Sequence, residues 1–478
     1  MTQRLADFVS GTRYEDLPAN VVHEAKRLLI DTIGCAIAAL ETESGKIAVN
    51  FAALQGGPPQ ATALGLEERI SATAAAYVNA RLANVLDIDD TFPTAAHFGN
   101  STVFGALALA EHFDRDGKDL ITAIAVGFEV GARIGSWMGP PFKVENGKVV
   151  YWNELGGPAA SVVWAAVGAS ASISKLTPSQ TNHAFGYAGA CSPQPTVRKW
   201  AESPIQSMYK YADAGWCAQL GVSSALLVSL GSTAFTDILD GPNAFWKTYG
   251  SPSHDDEVLL KGLGSDWQIL NTTYKPWPCC RWIHYPLTVF TRLLNKHSLK
   301  ADEVEHVTVR ANPFATTRIF AEQSPTEPIT AEFSFPHAFA AAAYKRPPGP
   351  QWYDECFMNA PYVQAFRKKI SLQGEPTASN LADFMEGGQW RGMPGGVDIK
   401  ARDTVFSGTS SYAYGDPWTP ETLFTDDALL EKFYGLVGSS DVSQKTVEAL
   451  LGLDQKHADL KGVVELISRL GGGIIPAK

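Results

Sequence analysis

The sequence predicts a mainly α protein, with a large all-helical domain formed by both chain ends and a smaller α+β lid domain inserted between them. Three observations predict it. The first half is rich in alanine and shows apolar residues at 3.6-residue spacing in one segment after another. After residue 265 prolines become frequent, and short stretches alternate apolar and polar residues. From Asp426 the helical period returns. The boundaries expected are 1–268 for the first part of the helical domain, 269–410 for the lid, and 411–478 for the returning segment. A chain of 478 residues that is 45% hydrophobic and 19% charged can bury a large core.

Element by element, Pro18 opens a helix that runs to about Leu40, with Val21, Ala25, Leu28, Leu29, Thr32 and Ala36 on one stripe. Ser71 to Leu86 is a second helix, and others are expected at about 101–113, 118–136, 159–175, 178–190 and 213–230. Gly127 and Gly131, with Ala165, Ala169 and Ser172, place small residues where helices can approach closely. Val307 to Arg310 and Val397 to Arg402 alternate as strands with one wet face do. Ile283 to Leu294 and Ala331 to Tyr344 read as helices among them. The last helices are expected around Ala428–Phe433, Val447–Leu453 and Val463–Leu470.

Charge and cysteine content exclude several roles. Lys and Arg number 39 against 50 Asp and Glu, a net charge of −11, so nucleic acid is not the expected partner. An anionic substrate must then be held by a local basic pocket rather than by the overall field. The most apolar stretch, Leu120 to Ile134, carries Glu129 and Arg133, and no membrane association is expected. The first residues lack the apolar core of a signal peptide. Six scattered cysteines do not make a disulfide framework, which points to a reducing, cytoplasmic setting. The sequence has no G-x-G-x-x-G, G-x-x-x-x-G-K-[ST], G-x-S-x-G or H-E-x-x-H motif. Dinucleotide redox, nucleotide hydrolysis, elbow-serine hydrolysis and zincin chemistry lose support accordingly.

Three segments could carry chemistry. In the first, Asp87, Asp89, Asp90, Thr91 and His97 follow the second helix. Asp87 and Thr91, four apart, would share a face if the helix made one more turn, with Pro93 ensuring that it goes no further. A histidine near carboxylates can exchange a proton near neutral pH. The same residues also read as a solvated helix end. Carboxylates suit Mg²⁺ or Ca²⁺, but the EF-hand pattern fails, and no metal is expected. In the second, Lys210 precedes an apolar helix and could hold a carboxylate, or could be a surface lysine. In the third, Lys275, Arg281 and His284 lie in a Pro- and aromatic-rich stretch that could form an anion-recognising wall. Cys280, beside Arg281, could have a lowered pKa.

Together these segments resemble the MmgE/PrpD family, whose members include dehydratases, decarboxylases and epimerases of small polycarboxylic acids. The likeness runs from Leu28–Gly34 through the Asp87–His97 segment, Lys210 to Gly215, and Lys275 to His284. It ends at Gly415-Asp-Pro417, Pro420 and Lys432-Phe433. The resemblance implies a helical domain plus an α+β lid in a homodimer, with a site between the domains that uses neither metal nor organic cofactor. It assigns catalytic roles to Asp87, Thr91, His97, Lys210 and His284. Lys275, Arg281 and Cys280 are expected beside the substrate.

That resemblance implies a lyase of hydratase or dehydratase type, acting on a small di- or tricarboxylic acid by moving a proton on the carbon beside a carboxylate. A decarboxylase or epimerase with the same site is the alternative, and a non-catalytic binding protein of the same fold the further one. Lys210 and a protonated His284 would stabilise the enolate-like charge, with His97 as the acid–base group. The chain departs from the family where Phe98 follows His97 and where Gly157 and Asp213 stand in place of usual histidines. These changes argue for a smaller, less charged or aromatic acid, as do Trp152, Trp164, Trp200, Trp277 and Trp282.

Overall fold

A computed structural model describes residues 1–153, 160–193, 197–208, 210 and 213–472. The chain is mainly α, as expected. The helices Ala19–Ala38, Ala72–Asn84, Gly99–His112, Gly117–Trp137, Val162–Ile173, Pro178–Ala190 and Ala214–Ser229 lie close to their expected positions. Ser71 opens the second by accepting a hydrogen bond from the Ala74 amide, and Thr177 and Gln180 form a capping box at Pro178. Gly127 and Gly131 sit against Ala169 and Ala165 so closely that a Cβ at either glycine would strike the facing alanine. The small residues thus set the contact between Gly117–Trp137 and Val162–Ile173. The Gly117–Trp137 helix is long and apolar enough to cross a membrane by length and composition alone, but here its apolar stretch is wholly buried inside the protein.

The later part carries a four-stranded sheet in the order Ile370–Gly374, Val304–Ala311, Gly395–Ala401, Thr404–Ser410. The first pair is parallel and the others antiparallel. Both strands read from the sequence lie at its centre, where they pair Val309 with Val397. The helix Arg281–Lys296 packs on this sheet. The closing helices Asp426–Val437 and Asp441–Leu451 pack back onto Ala19–Ala38. Lys432 donates to Asp31 (2.6 Å) and to the Ile88 carbonyl (2.6 Å) there.

Three expectations need correction. The stretch expected to be all-helical contains a hairpin, Phe142–Glu145 with Lys148–Trp152. Its turn is Asn146-Gly147, both at positive φ as a tight two-residue turn requires. The helix expected over Ala331–Tyr344 is two, Pro328–Glu332 and Phe335–Ala343. Ser334 breaks it by capping the second, accepting from the His337 amide at 3.0 Å. The helix expected to reach Leu86 stops at Asn84, nine residues before Pro93, so Pro93 is not what ends it.

Candidate active site

The end of the Ala72–Asn84 helix places the first candidate residue. Asp87 adopts a left-handed backbone (φ +51°), a conformation that Asp tolerates better than most residues. Thr91 then pairs its backbone with Thr273, at 2.8 and 2.9 Å in the two directions. Asp87 and Thr91 therefore do not share a helical face, contrary to the expectation. The turn aims the Asp87 carboxylate inward and ties this segment to the chain just before Lys275.

Both ammonium groups converge on that carboxylate. Lys210 donates to Asp87 Oδ1 (3.0 Å) and to the Asn84 carbonyl (2.7 Å), and its Nζ lies 3.0 Å from Glu332 Oε2. Lys275 donates to Asp87 Oδ2 (2.9 Å) and to the Asp87 carbonyl (2.8 Å). All three side chains are almost wholly buried, so Lys210 is no surface lysine. Burial alone would raise the Asp87 pKa. The charges of Lys210, Lys275 and His97 overcome it and hold the group far below the usual carboxylate range.

His97 stands in the loop before the Gly99–His112 helix, where the sequence placed it. Its Nδ1 is 3.3 Å from Asp89 Oδ1 and its Nε2 is 3.9 Å from Asp87 Oδ1. Asp89 is fixed by the side-chain amides of Asn84 (3.0 Å) and Asn100 (2.8 Å). Burial would raise the Asp89 carboxyl, but the neighbouring imidazole outweighs it and lowers the group. Asp90 plays a different part, accepting from the Phe98 and Gly99 amides at the mouth of the next helix. A Cβ at Gly99 would collide with Asp90, Leu28 and Thr32, so only glycine fits beneath this cap.

The third segment behaves differently from the wall of cations expected. Lys275 is committed to Asp87. Arg281 forms a buried ion pair with Asp416. His284 lies 3.0 Å from the Cys279 carbonyl through Nε2, which must therefore carry the proton, leaving Nδ1 as a buried lone pair with no partner among the described residues. Burial, then Arg281 and Lys275, push the His284 pKa well down. The ring is accordingly neutral rather than the cation expected. Cys280 is not activated either: burial pushes its thiol up to about 12. Its amide donates to the Glu332 carbonyl at 2.9 Å.

Glu332 was not singled out from the sequence. An acid inside the apolar run Ile329–Ala343 was its signal, since a buried carboxylate needs a partner. Burial raises it to about 8, Asp87 adding to the shift and Lys210 opposing it. The Asp213 substitution also has a local explanation. Its carboxylate caps the Ala214–Ser229 helix through the Gly215 amide (2.8 Å) and faces Arg81 at 3.7 Å. Gly157 lies outside the described residues.

Two cavities open beside this cluster. One, of about 830 Å³, is lined by Leu86, Gln206, Glu332 and Tyr353 among others. The other is small, about 70 Å³, and apolar, lined by Trp152, Trp200, Trp282, Phe142 and Phe314 next to Cys280. Of the five tryptophans noted in the sequence, these three meet there. Ligand atoms of Asp87, Asp89 and His97 come within 4.8 Å of one another, a spacing a metal ion could use. Two ammonium groups already hold Asp87, however, so a cation would enter against positive charge.

The MmgE/PrpD N-terminal domain matches residues 3–257, and the MmgE/PrpD C-terminal domain matches residues 277–456. The chain is similar to a cis-aconitate decarboxylase of Aspergillus terreus, at 26% identity over 98% of this chain and 96% of that protein. It is 25% identical to the Homo sapiens cis-aconitate decarboxylase, over 99% of this chain and 95% of that one. A cis-aconitate decarboxylase-like protein of Aspergillus oryzae is 24% identical over 98% of this chain and 97% of its own length. With both matches together spanning most of its length, the chain belongs to the MmgE/PrpD family.

Proposed function

We propose that this protein is a lyase that removes carbon dioxide from a small carboxylic acid. The observation that carries the reading is the convergence of two buried ammonium groups and an imidazole on Asp87. Lys275 spends two N–H groups on Asp87, which leaves its third for a substrate carboxylate. The bond to the leaving carboxylate breaks, carbon dioxide departs, and the electron pair passes into the adjoining conjugated group. Buried cations stabilise that charge more strongly than the ground state. His97, oriented by Asp89 and Asp87, then delivers a proton to carbon. Thr91 Oγ1, buried and with no partner among the described residues, is available to the substrate as a donor. His284 contributes an accepting Nδ1 instead of a positive charge.

Dehydration, the reaction put first from the sequence, shares the charged intermediate. It ranks second because relatives matching over nearly their whole length carry decarboxylase names. The same reading keeps a homodimer as the working unit, which light scattering would check. The decisive experiment is proton NMR in D₂O with three- to six-carbon acids, cis-aconitate among them, combined with measurement of released carbon dioxide. Carbon dioxide with one deuterium gained on carbon supports decarboxylation. Loss of water without carbon dioxide establishes the dehydratase instead. Exchange alone points to an epimerase, and a full panel without turnover or exchange overturns the lyase reading.

A further inference from the structure

The ammonium of Lys210 has three hydrogens and three neighbours: Asp87, the Asn84 carbonyl and Glu332. Asp87 and the Asn84 carbonyl accept hydrogen bonds from it, and Glu332 Oε2 stands beside it at ion-pair distance, so its surroundings are supplied from within the chain. Two of those neighbours belong to the turn that builds the site, while the third, Glu332, also forms part of the wall of the 830 Å³ cavity. A carboxylate entering from that cavity toward Lys210 meets another carboxylate already in place. The rest of the wall repeats the sign. Glu41, Glu43, Glu327, Asp354 and Glu355 line it, with no Lys, Arg or His among the described lining residues. Glu41 and Asp354 have outside partners in Lys46 and Arg346, so Glu43, Glu327 and Glu355 keep the cavity acidic.

We infer that Glu332 takes, on Lys210, the place that a second substrate carboxylate would occupy, and that it selects a small acid whose far end is neutral or cationic over a di- or tricarboxylate. The inference rests on the reading of the chain as a carboxylic-acid lyase. Lys275, with its one uncommitted N–H, holds the single carboxylate, and the far end points along the acidic wall. Burial raises Glu332 to about 8, so most of the population carries a proton at pH 7 and can donate to a neutral oxygen of the ligand, whereas the charge that repels a second carboxylate is present above pH 8.

Isothermal titration of the full-length chain at pH 9, where Glu332 is mostly ionised, with 4-aminobutyrate, succinate and tricarballylate tests this. The wild type is expected to bind 4-aminobutyrate at least about tenfold more tightly than tricarballylate. Glu332→Gln, which removes the charge but keeps the shape, should narrow that ratio by about tenfold or more, chiefly by strengthening tricarballylate. Glu332→Asp should retain the wild-type ratio. Equal affinities in the wild type overturn the inference, and so does a ratio that moves less than about twofold in a folded Glu332→Gln protein. Should that variant not fold, the wild-type ratio and Glu332→Asp decide alone. Binding of none of the three acids to the folded wild type removes the carboxylic-acid reading and this inference with it. Binding of all three with an unmoved ratio removes the inference alone.

Discussion

Glu129 and Arg133 lie as deep in the protein as Asp87 and Lys210, yet the two networks are completed differently. Arg133 pairs with Glu129 one helical turn away and donates from its remaining nitrogens to the carbonyls of Leu259, Lys261 and Asp266. The other Glu129 oxygen accepts from the Gln268 amide at 2.6 Å. Both carboxylate oxygens and all three guanidinium nitrogens have a partner from the fold, and neither of the two residues faces a cavity described above. Around Asp87 the lysines are equally well held, but Thr91 Oγ1, His284 Nδ1 and one hydrogen of Lys275 remain unspent. Glu332 reaches a cavity as well. Buried charge is thus no sign of function by itself; capacity left over beside it is.

The sharpest break in this comparison comes from the lysine. Lys210→Met should lower kcat/KM by at least about a thousandfold in the carbon dioxide assay, since it removes charge stabilisation in a buried site. It should also cost about 3–5 kcal/mol in denaturant unfolding, because Asp87 and Glu332 lose a shared cation. Arg133→Met should cost a similar amount of stability through Glu129, while KM of the protein that remains folded stays unchanged. A large KM change would show that the two networks are coupled.

His97→Asn comes next, with a fall in kcat of about a hundred- to ten-thousandfold and a small change in melting temperature. A fall under about tenfold would remove its acid–base role. The pH dependence of stability separates the carboxylates by sign. Glu129 and Glu332 are raised from 4.5 to about 7 and about 8. Their contribution is full below pH 4.5 and is lost as pH rises through those values. Asp87 and Asp89 are lowered from 3.8, so theirs is present above 3.8 and lost in stronger acid. Melting temperature should rise from pH 2 to 4 and then decline by a few degrees between pH 5 and 8. Glu332→Gln should flatten that decline. The smallest effect is expected from Asp213→Asn, under about 1 kcal/mol, since asparagine caps a helix nearly as well and only the Arg81 contact is lost.

Much of this was legible in residue patterns, and the limits have physical causes. Lys210, Lys275, His97 and His284 could be picked out as ionisable groups in ordered segments. The pairing of the two lysines could not, because the carboxylate that joins them depends on one left-handed residue. A period-based reading extends a helix through Asp87, whereas the chain turns there to satisfy Lys210 and Lys275. The helix Glu43–Gln55 went unread because Ile47, Phe51 and Leu54 face outward and blur its apolar stripe. The hairpin had its signal in Asn146-Gly147, flanked by strands too short to stand out. The neutrality of His284 follows from burial, which spacing does not report.

The left-handed turn at Asp87 also has a consequence for biosynthesis. Its two cationic partners lie 123 and 188 residues further along the chain. On the ribosome the helices around Asp87 emerge long before Lys275, so the nascent N-terminal half carries a carboxylate with only one of its two lysine partners. Those helices can collapse early, but their final packing must await the later segment. Fragments released before residue 275 should therefore be loose and chaperone-dependent.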